Sequence, residues 1–209
     1  MGRRISDMKL DMPRKLLILP VLALPILALL VGCAAPTVPK EQYFRLIATP
    51  AETPVATPLN GIVEIPAFDA EGVLAERPLL FTADGGRKLE QRNYAYWTNS
   101  PPQMLRDQLI TYLRSAHVAT KVVPSELRVD AKYVVRGKLR RLEQTANPTG
   151  GVIEIEVALL DEETNQLIAS KVFLAKEPAA NGNIDDAVAA LNTGMNQIFR
   201  EIAALISQH

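Results

Sequence analysis

The chain has 209 residues and a mass of 22.9 kDa, which is room for one ordinary domain with an extension or for two very small domains. Its composition, 48% hydrophobic and 22% charged, excludes a disordered chain, a collagen-like repeat and a small disulfide scaffold. Basic and acidic residues number 23 each, and this net charge of zero argues against nucleic acid as a partner. One cysteine cannot close an internal disulfide and two histidines leave little for a metal site, so we expect no metal and no cofactor.

Residues 1–32 have the order of a secretory signal peptide. Five basic residues stand among the first 15, and an uncharged apolar run follows over residues 16–31. The run is broken by two prolines and is shorter than the about 20 apolar residues that a membrane-spanning helix requires. A basic flank, a short apolar run and then small residues are typical of an export signal, and Met8 or Met12 would serve equally well as its start.

The segment Leu30-Val31-Gly32-Cys33 ends this leader and resembles the lipobox of bacterial lipoproteins. In that motif the cysteine thiol accepts a diacylglycerol group and becomes the mature N-terminus, which predicts cleavage between Gly32 and Cys33. Acylation of Cys33 by more than one fatty chain, such as palmitate, would give a stable membrane anchor. The alternative interpretation is an uncleaved anchor with an incidental cysteine.

The residues that follow Cys33 predict the destination and the reach of the anchor. In lipoproteins an Asp directly after the cysteine favours retention in the inner membrane, and Ala34 in that place points to the outer membrane, with the domain facing the periplasm. Residues 33–42 are the lipidated cysteine and a proline-containing tether, of which seven residues reach roughly 20–25 Å. The mature domain then covers residues 43–209.

Short strands and turns fill the first half of this domain. Alternation and bounding prolines predict strands over residues 43–47, 61–66, 78–81 and 94–98. Between the first two strands, a Thr-Pro step recurs every four residues over 49–58. Such a stretch indicates a stiff surface connection, with a polyproline ligand for a partner as the alternative.

Two helices are predicted, one in the middle of the domain and one at its end. Ser100 as N-cap and Pro101 in the first position begin a helix that ends near His117. The second begins at about Ile184, and its apolar residues step by three and four. These residues are Val188, Leu191, Met195, Ile198, Ile202 and Leu205. Packing on the sheet of its own domain is a simpler interpretation than a coiled coil.

Three longer strands, over residues 130–142, 152–160 and 166–176, precede the last helix. The first carries a basic stripe that could attract nucleic acid or anionic lipid. The stripe comprises Lys132, Arg136, Lys138 and Arg140. Pairing residues whose numbers sum to 294 places Arg140 opposite Glu154 and Lys138 opposite Glu156, with apolar residues on the other face. We therefore interpret the stripe as a solvent-exposed face of the hairpin, with a binding surface as the alternative interpretation.

This order of elements predicts an α+β fold with a single mixed, mostly antiparallel sheet packed by two helices, preceded by a lipoprotein signal peptide. His117 and His209 are the only histidines, and neither a G-x-S-x-G nor an H-E-x-x-H motif occurs. We therefore predict no catalytic residue and no enzyme, although a carboxylate pair leaves an exported hydrolase as a weak alternative.

Four segments in order behind the lipobox carry a resemblance to a known family. They are Tyr43-Phe44-Arg45-Leu46, Ile62-Val63-Glu64-Ile65-Pro66, Pro78-Leu79-Leu80-Phe81 and Tyr94-Ala95-Tyr96-Trp97. With the three C-terminal strands and the last helix, this set resembles the ABC-type transport auxiliary lipoprotein component family, which includes PqiC-type lipoproteins. The segment 68–72 departs from the more regular turn of that family.

The resemblance implies an outer-membrane lipoprotein that partners an ABC transporter complex and a mammalian-cell-entry-type periplasmic protein. Such systems move phospholipid or other hydrophobic molecules across the periplasm and so serve membrane integrity. We expect the domain to dock partner proteins, and a homo-oligomer is compatible with that role. The competing interpretation is a general envelope-assembly or structural lipoprotein, and the neighbouring genes would separate the two.

Tyr94, Tyr96 and Trp97 are the candidate partner contacts, because clustered aromatic side chains often anchor interfaces. Their strand setting also favours a core role for at least one of them.

Replacing Cys33 by serine tests the anchor. Because a hydroxyl cannot take the place of the thiol in the lipidation step, the Cys33→Ser chain should stay unacylated and keep its leader. Metabolic labelling with a fatty acid and the size of the chain on a gel measure both effects. Normal maturation of the variant would contradict the lipobox interpretation.

Overall fold

The computed structural model describes residues 38–209, so that the leader, Gly32 and Cys33 lie outside the described residues. Nine strands and two helices follow one another along this part of the chain. The strands are β1 (Gln42–Phe44), β2 (Leu59–Ile65), β3 (Asp69–Ala70), β4 (Pro78–Thr82), β5 (Glu90–Trp97), β6 (Ala119–Pro124), β7 (Tyr133–Ala146), β8 (Thr149–Asp161) and β9 (Gln166–Pro178). The helices are α1 (Pro101–Ser115) and α2 (Ile184–Ile206).

All nine strands belong to one sheet that is built around β7. On one edge of β7, β8 pairs antiparallel and β9 pairs antiparallel with β8. On the other edge, β2, β3 and β4 pair in succession, all parallel to β7. The sheet then extends from β2 to β6 and from β4 through β5 to β1. The predicted α+β fold, with a mixed sheet and two helices, is confirmed, and its longest ladders are the antiparallel ones.

Both helices pack on the sheet through the faces that the sequence predicts. Leu105, Leu109 and Leu113 of α1 are fully buried. On α2 the predicted apolar residues Leu191, Met195, Ile198 and Ile202 are buried against the sheet, which confirms packing within the domain. Asn183 caps α2, since its side-chain oxygen accepts a hydrogen bond from the Asp186 amide at 2.8 Å. Within residues 38–209, neither helix combines the length and apolar character needed to cross a bilayer.

The first predicted strand, residues 43–47, is shorter than expected. The ladder ends at Phe44, and the amides of Ile47 and Ala48 donate to side-chain oxygens of Asn192 and Gln108. Side chains of the two helices therefore take the place of a neighbouring strand. Leu46 is nevertheless fully buried. It lies between two exposed residues, and this alternation of buried and exposed positions is the pattern from which the sequence predicts a strand.

The hairpin of β7 and β8 follows the predicted register over its first half only. Lys138 lies opposite Glu156 and Leu139 opposite Ile155, as predicted. A bulge at Arg140 then shifts the register by one residue, and Arg141, not Arg140, lies opposite Glu154. The predicted pairing of Arg140 with Glu154 is therefore wrong. A constant sum of residue numbers holds only for a ladder without a bulge.

Three of the four residues of the basic stripe are paired with acidic residues, as a solvated hairpin face predicts, but not with the partners that the predicted register gives. The Arg140 guanidinium binds the Glu156 carboxylate, and the Lys138 ammonium binds Glu71. The Arg136 guanidinium lies 3.6 Å from the Glu162 carboxylate. The two strands extend further than predicted, to Ala146 and Thr149, so that only two residues form the turn.

The segment that departs from the family's turn, residues 68–72, is a short strand held against β7. Asp69 and Ala70 pair with Lys138 and Leu139 of β7. Ahead of them, the Phe68 ring packs onto Gly137, where an added methyl group would lie 2.5 Å from two ring carbons. Gly137 therefore gives the ring its place in the core, where Phe68 is 4% exposed.

The close approach of Phe68 to Gly137 predicts that Gly137→Ala destabilises the fold. Overpacking of this kind costs about 1–3 kcal/mol of the free energy of unfolding, which urea denaturation measures. Gly182→Ala is the matched control, because no atom lies within 4 Å of its added methyl group. In a Phe68→Ala background the Gly137→Ala cost should largely disappear, and an undiminished cost would contradict the proposed clash.

Candidate functional site

The three aromatic residues predicted as partner contacts lie at the end of β5 and differ in exposure. Trp97 is 1% exposed and belongs to the core, Tyr96 is half-buried, and Tyr94 is 38% exposed. Tyr94 has a φ of 62°, and the pairing of β4 with β5 shifts its register in this region. The expectation that at least one of the three is a core residue is met by Trp97, so Tyr94 and Tyr96 remain as surface candidates.

The structure adds Tyr43 of β1 to this surface. β1 is the terminal strand of the sheet on this side and pairs parallel with β5, which places Tyr43 directly opposite Tyr96. Their ring centroids are 5.8 Å apart and the planes are tilted by 32°. This is an attractive arrangement for two aromatic rings. Tyr43 is 54% exposed, so the pair presents an aromatic surface to solvent.

Arg77 places a positive charge against these rings. Its guanidinium carbon lies 5.5 Å from the centroid of the Tyr43 ring, within the range of a cation–π interaction. The side chain is held in place because Nε donates to the Trp97 carbonyl oxygen at 3.0 Å. The Trp97 amide in turn donates to the Arg77 carbonyl oxygen at 2.7 Å, which ties the cation to the buried end of β5.

Glu41, Tyr43, Arg77 and Tyr96 are called the aromatic edge from here on, whereas Tyr94 does not line the depression that they share. Glu41, Tyr43, Arg77, Pro78 and Tyr96 line a surface depression of about 330 Å³. The Tyr43 hydroxyl donates to a Glu41 carboxylate oxygen at 2.5 Å, and this hydrogen bond raises the pKa of Tyr43 above its ordinary value. The aromatic edge therefore offers the exposed ring of Tyr43 beside the half-buried ring of Tyr96, a fixed cation and a neutral phenol beside a carboxylate.

Sequence reasoning misses Tyr43, Arg77 and Glu41 as members of this site. Tyr43 and Tyr96 are 53 residues apart in the chain, and only the parallel pairing of β1 with β5 brings them together. The available signal is that Tyr43 belongs to a strand whose next residue, Phe44, packs toward the core. A strand that buries Phe44 must present Tyr43 on the other face.

Ser115, the last residue of α1, is hydrogen-bonded to backbone groups on both sides of its hydroxyl. The Ser115 hydroxyl donates to the Tyr112 carbonyl oxygen at 2.7 Å and accepts from the Ala51 amide at 2.9 Å. Its contacts are thus structural ones. Among residues 38–209 there is no group of three or more His, Cys, Asp or Glu side chains placed to hold a metal ion.

An α+β domain with an aromatic sheet edge and a fixed cation has the features of an interaction module. The chain belongs to the ABC-type transport auxiliary lipoprotein component family, whose sequence pattern matches residues 44–203, and the resemblance predicted from the sequence is thereby confirmed. The family associates this chain with an ABC transport system and with the cell envelope. No curated protein sequence matches the chain.

Two solved structures share the fold. A protein from Xanthomonas campestris is 17% identical, with a TM-score of 0.68 over 77% of this chain and 92% of that one. An uncharacterised protein is 18% identical, with a TM-score of 0.65 over 81% of this chain and 100% of that one. At these identities the likeness is one of fold.

The different exposure of the aromatic residues predicts unequal effects of truncation on stability. Trp97→Ala removes a fully buried indole and should lower the free energy of unfolding by about 3–5 kcal/mol. Tyr43→Ala removes an exposed ring and should cost less than about 1 kcal/mol. Chemical denaturation of the two variants beside the parent protein measures both. Equal losses would contradict the assignment of Trp97 to the core and of Tyr43 to the surface.

Proposed function

We propose that this protein is an outer-membrane-anchored lipoprotein that docks the partner proteins of an ABC transporter with a mammalian-cell-entry-type periplasmic component. The system would carry phospholipid or another hydrophobic molecule across the periplasm. The observation that carries the proposal is the aromatic edge in a member of a transport auxiliary family. The energy for transport comes, in this proposal, from a separate ATPase.

The chemistry of the aromatic edge suits a protein partner. Tyrosine and arginine are among the residues enriched at interface hot spots, since they combine a large apolar surface with directed polar groups. Tyr43 and Tyr96 supply the apolar area, and Arg77 is already held by the Trp97 carbonyl oxygen. A side chain that is fixed before binding loses little conformational entropy on binding.

The place of the aromatic edge in the chain also supports the proposal. β1 begins at Gln42, nine residues after the predicted lipidated Cys33. An extended chain of that length spans at most roughly 30 Å. A lipid anchor at Cys33 would therefore hold the aromatic edge near the membrane surface. Among the described residues no strand pairs with the outer side of β1, which leaves room for a partner strand or loop beside the two rings.

Co-purification of the transport partners tests the proposal. The full-length protein, tagged at its C-terminus, is solubilised from membranes, and the recovered permease, ATPase and mammalian-cell-entry-type protein are quantified. Tyr43→Ala combined with Tyr96→Ala should lower their recovery at least about tenfold, since loss of a hot spot costs about 2 kcal/mol or more.

Leu167→Ala is the matched control for this experiment. Leu167 is a large apolar residue of β9, which lies at the opposite edge of the sheet from β1, and it is 62% exposed. Its truncation should leave recovery unchanged. Equal recovery with the double variant and the parent would refute docking through the aromatic edge. Recovery of an envelope-assembly complex in place of the transporter would refute the transport role itself.

A further inference from the structure

A cavity of about 370 Å³ lies between the loop after β1 and the two helices. Residues 49–53 form one wall, Tyr112 of α1 another, and Asn196 and Arg200 of α2 the third. The volume is within the range of small-molecule sites. The Thr-Pro stretch noted in the sequence therefore forms a wall of this cavity.

The loop that forms this wall is held by side chains of both helices. The amides of Ile47 and Thr49 donate to the side-chain oxygens of Asn192 and Asn196, both at 2.7 Å. The Ala48 amide donates to Gln108 at 2.7 Å, and the Ala51 amide donates to Ser115 at 2.9 Å. These four bonds fix the loop in the folded protein, so the cavity is formed in advance of any ligand.

Tyr112 carries an unused polar group into this cavity. The residue is 6% exposed, and its ring packs against Phe199 with centroids 6.0 Å apart. Its hydroxyl makes no hydrogen bond with any residue of the described chain and is not a fully buried atom, so it opens into the cavity. Burial raises the pKa of Tyr112, so the group is a neutral donor at physiological pH.

Two opposite charges accompany this hydroxyl. Arg200 and Glu52 both line the cavity, and within residues 38–209 neither forms an ion pair, with the other or with a third residue. Arg200 lowers and Glu52 raises the pKa of Tyr112, so both charges lie close enough to act on the phenol. Exposed charges are ordinarily solvated without a ligand, and what distinguishes this site is that a hydroxyl without a partner in the described chain, on the buried side chain of Tyr112, lines the same cavity as the two charges.

We propose that the cavity binds a small zwitterion, with its anionic oxygens on the Arg200 guanidinium and the Tyr112 hydroxyl and its ammonium on the Glu52 carboxylate. Charge-assisted hydrogen bonds of this kind are about twice as strong as neutral ones. A free amino acid and an ethanolamine phosphate headgroup share this chemistry. The site does not depend on the proposed docking function, since it lies between the loop after β1 and the two helices and not on the aromatic edge.

Calorimetric titration of the detergent-solubilised full-length protein with O-phosphoethanolamine tests the proposal. Saturable binding is expected, and inorganic phosphate and ethanolamine, each with one of the two charges, should bind at least about tenfold more weakly. Equal binding of inorganic phosphate would overturn the zwitterion assignment. Absence of saturable binding of both O-phosphoethanolamine and glycine at millimolar concentration would overturn the site.

Three variants identify the binding residues. Arg200→Gln and Glu52→Gln should each weaken binding about tenfold or more. Tyr112→Phe should weaken it roughly three- to tenfold and leave the midpoint of urea unfolding unchanged, because the lost hydroxyl has no partner in the protein. Tyr133→Phe and Arg87→Gln are the matched controls, which remove a phenolic hydroxyl and a guanidinium outside the cavity. A loss of binding in the controls equal to that in the variants would contradict the site.

The source of the zwitterion is distinguished by two further ligands. Glycine represents a free amino acid, and vesicles of phosphatidylethanolamine represent a lipid headgroup, with phosphatidylglycerol vesicles as the comparison. Binding of either ligand that is lost in Glu52→Gln supports the site and assigns its source. Vesicle binding that is equal for the two lipids and unchanged in Glu52→Gln would refute the lipid headgroup as the source.

Discussion

Strand β7 has to find hydrogen-bond partners along both of its edges for 14 residues, and the whole sheet is arranged to supply them. One long neighbour, β8, satisfies one edge. The other edge is shared by three short strands in succession, β2 at its beginning, β3 in its middle and β4 toward its end. β2 in turn pairs with β6, and β4 pairs with β5. Because α1 connects β5 to β6, the positions of α1 and of the aromatic edge both depend on β7.

Local sequence patterns were sufficient to predict the elements of this fold and the hairpin between strands that follow each other in the chain. The hairpin of β7 and β8, the apolar face of α2 and the mixed sheet follow from alternation, helical spacing and turn residues. The bulge at Arg140 could not be predicted, because both registers place opposite charges together on one face. In the observed register Lys138 binds Glu71 beside β3, a segment distant in the chain, and Arg140 binds Glu156.

The aromatic edge shows that the prediction of a functional site from local sequence patterns has the same limit. Tyr94 and Tyr96 are visible in the sequence as an aromatic cluster, and the burial of Trp97 follows from its strand setting. Tyr43 and Arg77 are not visible, since a parallel pair of strands such as β1 and β5 has no turn between its members to reveal the pairing. The site is thus assembled by a parallel pairing between strands that are distant in the chain, which sequence periodicity does not report.

The aromatic edge and the cavity between the helices share one connecting segment. β1 has only three paired residues, a short ladder for a terminal strand, and the chain leaves it directly into the loop held by Asn192, Gln108, Asn196 and Ser115. Those four side chains therefore position both the wall of the cavity and the strand that carries Tyr43. Since β1 is short and its loop is held by side chains of α1 and α2, the packing of the two helices helps to hold β1 at the edge of the sheet.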